Sequence, residues 1–139
     1  MSELLPKIAS VAVVLKDGKI LLNLRKGDGR TDGMYGTPGG HVEHLENIAE
    51  SVAREIKEEV DIEVQNISFV GIVNVREFAP VHYVILVFRA DWKSGEVRNC
   101  EPDKSDGWDW YPLDALPHPM TPGTEKGIRM FQNGQNYFE

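Results

Sequence analysis

Residues 46–60 constrain the fold of this chain more than any other segment. Their apolar side chains recur at helical spacing and predict an amphipathic helix over about 46–60. The members of this stripe are Ile48, Ala49, Val52, Ala53, Ile56 and Val60. Because such a helix is stable only when its apolar face is covered, the rest of the chain has to provide a packing surface for it.

The same region is densely acidic. The carboxylates within residues 39–62 are Glu43, Glu46, Glu50, Glu55, Glu58, Glu59 and Asp61. Successive helix residues rotate by ~100°, so Glu55 and Glu59 project from nearly one face beside the apolar stripe, with Glu58 on their flank. Like charges four residues apart destabilise a helix, and the cost rises at the margin of a core. Either water solvates these carboxylates on an exposed face, or a cation lies among them.

A hard divalent cation suits the second alternative. Mg²⁺ and Mn²⁺ prefer carboxylates, backbone carbonyls and water as ligands. The pair Gly39-Gly40 places carbonyls in an open backbone just before the helix. Glu55, Glu59 and one such carbonyl would leave room in the ligand shell for water and a substrate phosphate.

The remaining pattern predicts a mixed α/β (α+β) fold in one domain, residues 1–139. Two apolar runs flank Asp17-Gly18 and predict a hairpin over 8–26. The other predicted elements are a glycine-rich loop over 26–40, long strands over 61–78 and 81–92, a short strand within 107–116 and a closing helix over 121–134. Long loops in compact domains are often functional.

Charge and composition exclude several classes of function. The formal net charge is −7, which argues against broad binding to a nucleic acid polymer but permits a small phosphorylated ligand bridged by a cation. Cys100 is the only cysteine, so no internal disulfide is expected. No apolar run approaches the ~20 residues of a membrane span, and no signal-peptide pattern is visible. The expected location is therefore the cytoplasm, without a membrane partner.

The spacing of the acidic segment resembles the Nudix box of the MutT-like diphosphatases. Gly40 is followed after five residues by Glu46 and after seven more by the run Arg-Glu-Ile-Lys-Glu-Glu, residues 54–59. The entering hairpin, the "PGG" turn and the segment "WDWYPLDAL" are also similar to this family. The resemblance implies a mixed β-sheet sandwiched between α-helices. It also implies metal-dependent hydrolysis of a diphosphate bond in a nucleoside diphosphate derivative.

The resemblance assigns roles to the box residues. It implies that Glu55 and Glu59 bind Mg²⁺ or Mn²⁺ with the carbonyl of Gly39 or Gly40. It implies that Glu58 is a further ligand, directly or through water, or the base that orients the attacking water. All three glutamates are therefore candidate catalytic residues. One more acid, Glu101, Asp103 or Asp106, is expected to add a metal contact.

Two further positions match the box and two depart from it. Glu46 and Arg54 resemble the family's structural ion pair; as an ordinary surface salt bridge such a pair would contribute under ~1 kcal/mol. Asp61 replaces the usual glycine after the helix, where a left-handed conformation is common and Asp is tolerated. Leu45 stands where many members have Gly, so the loop before the helix is expected to follow a different path.

Residues outside the box have to select the substrate. The candidates are Arg25, His41, Phe78, Tyr83 and Trp110. Arg25 is expected to hold terminal phosphates. Trp108 and Trp110 are expected to point in alternating directions, with Trp110 facing the pocket and stacking on a base; burial of Trp110 in the core is the competing interpretation.

The chain is most similar to the branch that hydrolyses nucleoside triphosphates, deoxynucleotides included, to a monophosphate and diphosphate. The first alternative is an ADP-ribose or nucleotide-sugar diphosphatase, and the second is a non-catalytic module that senses a nucleotide. The three intact glutamates favour an enzyme. Members of this branch are often homodimers, so a homodimer is an expected assembly.

Overall fold

A mixed eight-stranded β-sheet with two helices organises the chain, as described for residues 5–27 and 29–139 in a computed structural model. Residues 1–4 and Asp28, which belong to the predicted domain and the predicted glycine-rich loop, lie outside the described residues. The strands are β1 (Lys7–Lys16), β2 (Lys19–Arg25), β3 (Tyr35–Gly36), β4 (Gly39–His41), β5 (Glu63–Val75), β6 (Tyr83–Ser94), β7 (Ser105–Pro112) and β8 (Tyr137–Phe138). The helices are α1 (Ile48–Val60) and α2 (Pro122–Asn133). The predicted α+β class is confirmed.

The strand order of the sheet is β3-β2-β1-β6-β5-β8, with β4 paired to β1 and β7 paired to β2. The pairs β1–β6 and β5–β8 are parallel, and the other pairs are antiparallel. The predicted first hairpin is confirmed: Asp17 and Gly18 join β1 to β2 with φ angles of 52° and 77°. Such angles belong to a tight turn that suits Asp-Gly.

Apolar side chains cover both faces of the sheet because successive strand residues point to opposite sides. Val13 belongs to a core under α2, whereas its neighbour Val14 belongs to a core under α1. The α2 face is closed by Ile128 and Met130. The α1 face is closed by Val52, Ile56 and Val60, each at most 2% exposed. Burial of each such side chain contributes roughly 2 kcal/mol.

None of the helices in the described ranges is long and apolar enough to cross a membrane.

Helix α1 begins two residues later than the apolar pattern predicted. Asn47 is the N-cap, and its side chain accepts a hydrogen bond from the backbone N–H of Glu50. This capping contact satisfies a free N–H group of the first turn and leaves Glu46 outside the helix. At the other end Asp61 is left-handed, with φ 58° and ψ 40°, and its N–H bonds to the carbonyl of Lys57. Asp61 thus takes the glycine-like conformation that the sequence allowed for.

The predicted loop over 26–40 is shorter than expected because two of its parts join the sheet. Residues 35–36 form β3 and residues 39–41 form β4. Strand β4 pairs with residues 9–11 of β1, whereas β2 pairs with residues 15–16 of β1. Strand β1 therefore changes partner along its length, from β4 near its start to β2 at its end. In the following loop Leu45 has φ 62°, so it keeps a backbone conformation that favours glycine.

Candidate active site

The glycine pair of β4 contacts the carboxylates of α1. The N–H of Gly39 donates a hydrogen bond of 2.9 Å to Oε1 of Glu59. A Cβ atom on Gly40 would lie 2.6 Å from both Cδ and Oε1 of Glu55. This distance is far below van der Waals contact, so only glycine lets the Glu55 carboxylate lie against the backbone of β4. The chain thus brings Glu55, Glu59 and the Gly39-Gly40 backbone together.

Burial makes these two carboxylates hard to ionise. Desolvation raises the pKa of Glu59 to about 8, and the charges of Glu55 and Glu101 add to the increase. The N–H of Gly39 and the charge of Arg25 oppose that shift of the Glu59 pKa. Desolvation also raises the pKa of Glu55, against the lowering effect of Arg54. A local positive charge would reverse both effects.

Arg54 neutralises part of this acidic set. Its Nε lies 2.6 Å from Oε2 of Glu46 and its Nη2 lies 3.0 Å from Oε1 of the same residue, which is a two-pronged contact. Its Nη1 lies 3.2 Å from carboxylate oxygens of Glu55 and Glu58. The hydrogen bond to Glu46 raises the pKa of Arg54 and lowers the pKa of Glu46. The side chain of Glu58 is 55% exposed, and Nη1 of Arg54 donates hydrogen bonds to both of its carboxylate oxygens.

The carboxylates of Glu55, Glu58 and Glu59 line a cavity of about 450 Å³, here called the acidic cavity. Of the three extra acids left open by the sequence, Glu101 lines it, whereas Asp103 is exposed and Asp106 lies 3.6 Å from Lys26. Within residues 5–27 and 29–139, no three acidic, cysteine or imidazole groups converge closely enough to hold a cation as they stand. In this arrangement Arg54 contacts Glu55 and Glu58, and the Gly39 N–H donates a hydrogen bond to Glu59.

A second cavity of about 550 Å³, here called the larger cavity, adjoins the first. The two cavities share Arg25, Gly39, Gly40 and His41 in their linings. The predicted residues Phe78 and Tyr83 also line the larger cavity.

Hydrogen bonds and ring contacts hold these lining residues in place. Nε of Arg25 donates a 2.8 Å bond to Oγ1 of Thr31, which fixes the guanidinium. The rings of His41 and Tyr83 are 5.9 Å apart. Nη1 of Arg30 donates a 2.6 Å bond to the carbonyl of Phe78 and joins the glycine-rich loop to the β5–β6 connection.

The prediction that Trp108 and Trp110 alternate in direction is wrong. Residues two positions apart in a strand point to the same face, and both indoles pack against the core under α1. Trp108 lines the acidic cavity. Trp110 lines neither of the two cavities and lies further along β7, 5.7 Å from Nζ of Lys16. The structure therefore brings Trp108 to the site in place of Trp110.

Sequence reasoning missed other lining residues. Asn23 lines the acidic cavity, and its only sequence signal is one polar residue in the buried run "LLNLR". Residues 121–124, at the start of α2, line the larger cavity. Oγ1 of Thr124 accepts a 3.0 Å bond from the N–H of Thr37, which fixes α2 against the segment before β4. No local pattern indicates that α2 contacts the segment before β4.

Three known proteins are similar to this chain in structure or in sequence. The MutT NUDIX hydrolase from Burkholderia pseudomallei superposes with a TM-score of 0.84 at 35% identity, covering 91% of this chain and 98% of that chain. The NAD-capped RNA hydrolase NudC of Pseudomonas aeruginosa is 39% identical over 85 residues, or 61% of this chain. The ADP-ribose pyrophosphatase of Methanocaldococcus jannaschii is 35% identical over 113 residues, or 81% of this chain.

The matched region is only part of these curated relatives. The chain spans 29% of the length of the NudC protein and 65% of the length of the ADP-ribose pyrophosphatase. The sequence profile of the NUDIX domain, in contrast, matches residues 6–131 of this chain. Together with the fold and the glycine–glutamate arrangement, this match places the protein in the NUDIX domain family.

Proposed function

We propose that this chain hydrolyses a diphosphate bond in a nucleoside diphosphate derivative with the help of Mg²⁺ or Mn²⁺. The observation that carries the proposal is the junction of two chemically different cavities at Arg25, Gly39, Gly40 and His41. The acidic cavity suits a cation and a diphosphate. The larger cavity, with aromatic and basic side chains, suits the nucleoside end of the substrate.

The residues present fit a hard divalent cation. Glu55, Glu59 and the carbonyls of Gly39 and Gly40 are oxygen donors of the kind such ions prefer. Because its pKa is raised to about 8, Glu59 is mostly protonated at neutral pH, and an adjacent cation favours its ionised form. A divalent cation bound there would neutralise phosphate oxygens and lower the pKa of an attacking water.

The surrounding side chains would orient the substrate and the water. Arg25, which bonds to Thr31 and lines both cavities, would bind a phosphate. Glu58 is exposed enough to bind a cation or to take a proton from water once it leaves Arg54. The two-pronged contact between Arg54 and Glu46 would hold the start of α1 in place throughout.

Our first candidate substrates are nucleoside triphosphates and deoxynucleoside triphosphates, cleaved to a monophosphate and diphosphate. This choice rests on the overall likeness of the sequence to that branch of the family. Phe78, Tyr83 and His41 line the larger cavity and offer ring faces on which a base can stack. Stacking on such rings does not distinguish one base from another, because every base has a π-face.

The second candidate is a substrate with a group on each side of the diphosphate, such as ADP-ribose. Two observations favour it. The cavities of about 550 and 450 Å³ leave room for a group at either end of a diphosphate held between them. In addition, one similar protein is named an ADP-ribose pyrophosphatase and another an NAD-capped RNA hydrolase.

Product identification separates the candidates. Purified protein is incubated with Mg²⁺ and nucleoside triphosphates, ADP-ribose, NAD and nucleotide sugars, and the products are separated by ion exchange. A diphosphatase acting on nucleoside triphosphates releases a nucleoside monophosphate and diphosphate. An ADP-ribose diphosphatase releases AMP and ribose 5-phosphate.

A matched pair of variants tests whether the acidic cavity is the catalytic site. Glu59→Gln is expected to abolish turnover, whereas Glu50→Gln, the same change at an exposed position of α1, is expected to retain it. Normal turnover by Glu59→Gln would overturn the proposal. Nucleotide binding by the wild type without any turnover would favour the sensing module.

The expected assembly and location extend this proposal. We expect a homodimer, which size-exclusion chromatography with light scattering would detect, and a location in the cytoplasm. We expect free nucleotides rather than a nucleic acid polymer as substrates, because the net charge of −7 opposes backbone binding. Turnover of NAD-capped RNA faster than of NAD would contradict that expectation.

A further inference from the structure

Asn23 carries a buried carbonyl oxygen without a partner. The residue is 4% exposed, and its Oδ1 has no hydrogen-bond partner among the described residues. The residues before it on β2, Leu21 and Leu22, are fully buried and apolar. Buried polar atoms are nearly always hydrogen-bonded, so an unpartnered one calls for a specific explanation.

The position of Asn23 supplies that explanation. It lies two residues after Leu21, so its side chain points to the α1 face of the sheet. There it lines the acidic cavity together with Glu55, Glu59 and Glu101. Its cross-strand neighbour on β7, Trp108, lines the same cavity. A polar amide thus stands in the wall of the acidic cavity, where an apolar side chain would continue the core.

We propose that the Asn23 carboxamide is an additional, uncharged oxygen ligand for the divalent cation held by Glu55 and Glu59. Hard cations accept amide carbonyls beside carboxylates. The terminal torsion of Asn is broad and two-fold, so the oxygen and nitrogen ends exchange places by rotation alone. A neutral ligand adds an oxygen without adding to the repulsion among the glutamates. This inference rests on the proposed function, because it needs the same cation.

Manganese binding tests the inference without relying on turnover. Free Mn²⁺ is measured by electron paramagnetic resonance during titration of the wild type and of Asn23→Leu, which is similar in shape but has no oxygen. We expect the dissociation constant for Mn²⁺ to rise by about tenfold in Asn23→Leu. We expect its melting temperature without metal to equal or exceed that of the wild type, because an unpartnered polar group is removed. An unchanged dissociation constant overturns the inference.

Two further variants complete the design. Ser51→Ala alters another buried polar residue, on α1 and outside the lining of both cavities, and is expected to leave Mn²⁺ affinity unchanged. Asn23→Asp keeps an oxygen at the site and is expected to bind Mn²⁺ at least as tightly as the wild type. It decides the question if Asn23→Leu does not fold, since weaker binding by Asn23→Asp would overturn the inference.

The design separates the inference from the proposed function. If the wild type binds no Mn²⁺, the cation site fails and the proposed function fails with it. If the wild type binds Mn²⁺ and Asn23→Leu binds it equally well, only the assignment of Asn23 fails.

Discussion

Replacing Glu59 by Gln is expected to stabilise the metal-free protein at alkaline pH while abolishing turnover. Burial raises the pKa of Glu59 from 4.5 to about 8. At about 1.36 kcal/mol per pH unit, ionising this carboxyl in the folded protein costs about 5 kcal/mol. Gln is uncharged at every pH, and its side-chain oxygen can still accept the hydrogen bond from the N–H of Gly39.

The sign of the pH dependence follows from proton binding. Between pH 4.5 and about 8 the folded protein keeps a proton on Glu59 that the unfolded chain has released. The free energy of unfolding therefore falls as the pH rises through this window. Below pH 4.5 the penalty is absent, and above about pH 8 it is complete. The difference between wild type and Glu59→Gln should grow across the same window.

Urea unfolding in the presence of EDTA measures this difference. At about pH 9 Glu59→Gln should be more stable than the wild type by up to about 5 kcal/mol, whereas near pH 5 the two should nearly agree. The control, Glu50→Gln, should show the same offset from wild type at both pH values, because Glu50 is exposed. Saturating Mg²⁺ should stabilise the wild type and not Glu59→Gln. A pH-independent difference between wild type and Glu59→Gln would refute the reasoning.

Three other variants address the packing of the site. Gly40→Ala places a Cβ atom 2.6 Å from the Glu55 carboxylate, which must move by about 1 Å. We expect kcat/KM to fall by about 10²-fold with little loss of stability. Gly39→Ala places its Cβ 2.3 Å from the backbone oxygen of Ser10, so we expect a large drop in melting temperature and not a selective loss of activity. Arg54→Ala should lower the melting temperature without metal, and Mg²⁺ should reduce that loss, because Arg54 lies within ion-pair distance of four glutamates. Wild-type kcat/KM in Gly40→Ala, a wild-type melting curve in Gly39→Ala, or a Mg²⁺-independent loss in Arg54→Ala would each contradict the corresponding prediction.

Interactions between neighbouring residues explain where prediction from sequence succeeded. The apolar stripe over residues 48–60 has the periodicity of a helix, and α1 buries Val52, Ile56 and Val60 of that stripe, whereas Ile48 and Ala49 in its first turn are exposed. Helix α1 begins two residues after the predicted position, because the side chain of Asn47 accepts a hydrogen bond from the N–H of Glu50 and caps the first turn. Asp17-Gly18 and Asp61 adopt the positive φ angles that their sequence positions suggested.

Interactions between distant residues explain where it failed. The expected alternation of Trp108 and Trp110 contradicts the two-residue period of a strand, which is a local rule. Which of the two indoles reaches the acidic cavity depends on the register of β7 with β2, where Trp108 lies opposite Asn23. The sequence does not distinguish Glu101 from Asp103 and Asp106 as the acid near the metal site. Only the folded loop before β7 brings Glu101 into one cavity with the glutamates of α1. The position of Asn23 in the acidic cavity depends on its pairing with Trp108 of β7 and on which face of the sheet α1 covers.

By itself the sequence determined the helix, the acidic set on its edge, the glycine pair before it and the family to which they belong. These features depend on residue types at short spacing, and backbone geometry converts that spacing directly into a shared face. Only the tertiary structure decided that Glu59 is buried against Gly39, that Arg54 holds the other glutamates, and which residues line each cavity. Desolvation and counter-charge depend on what the rest of the sheet brings into contact with the helix, and no local pattern records those contacts.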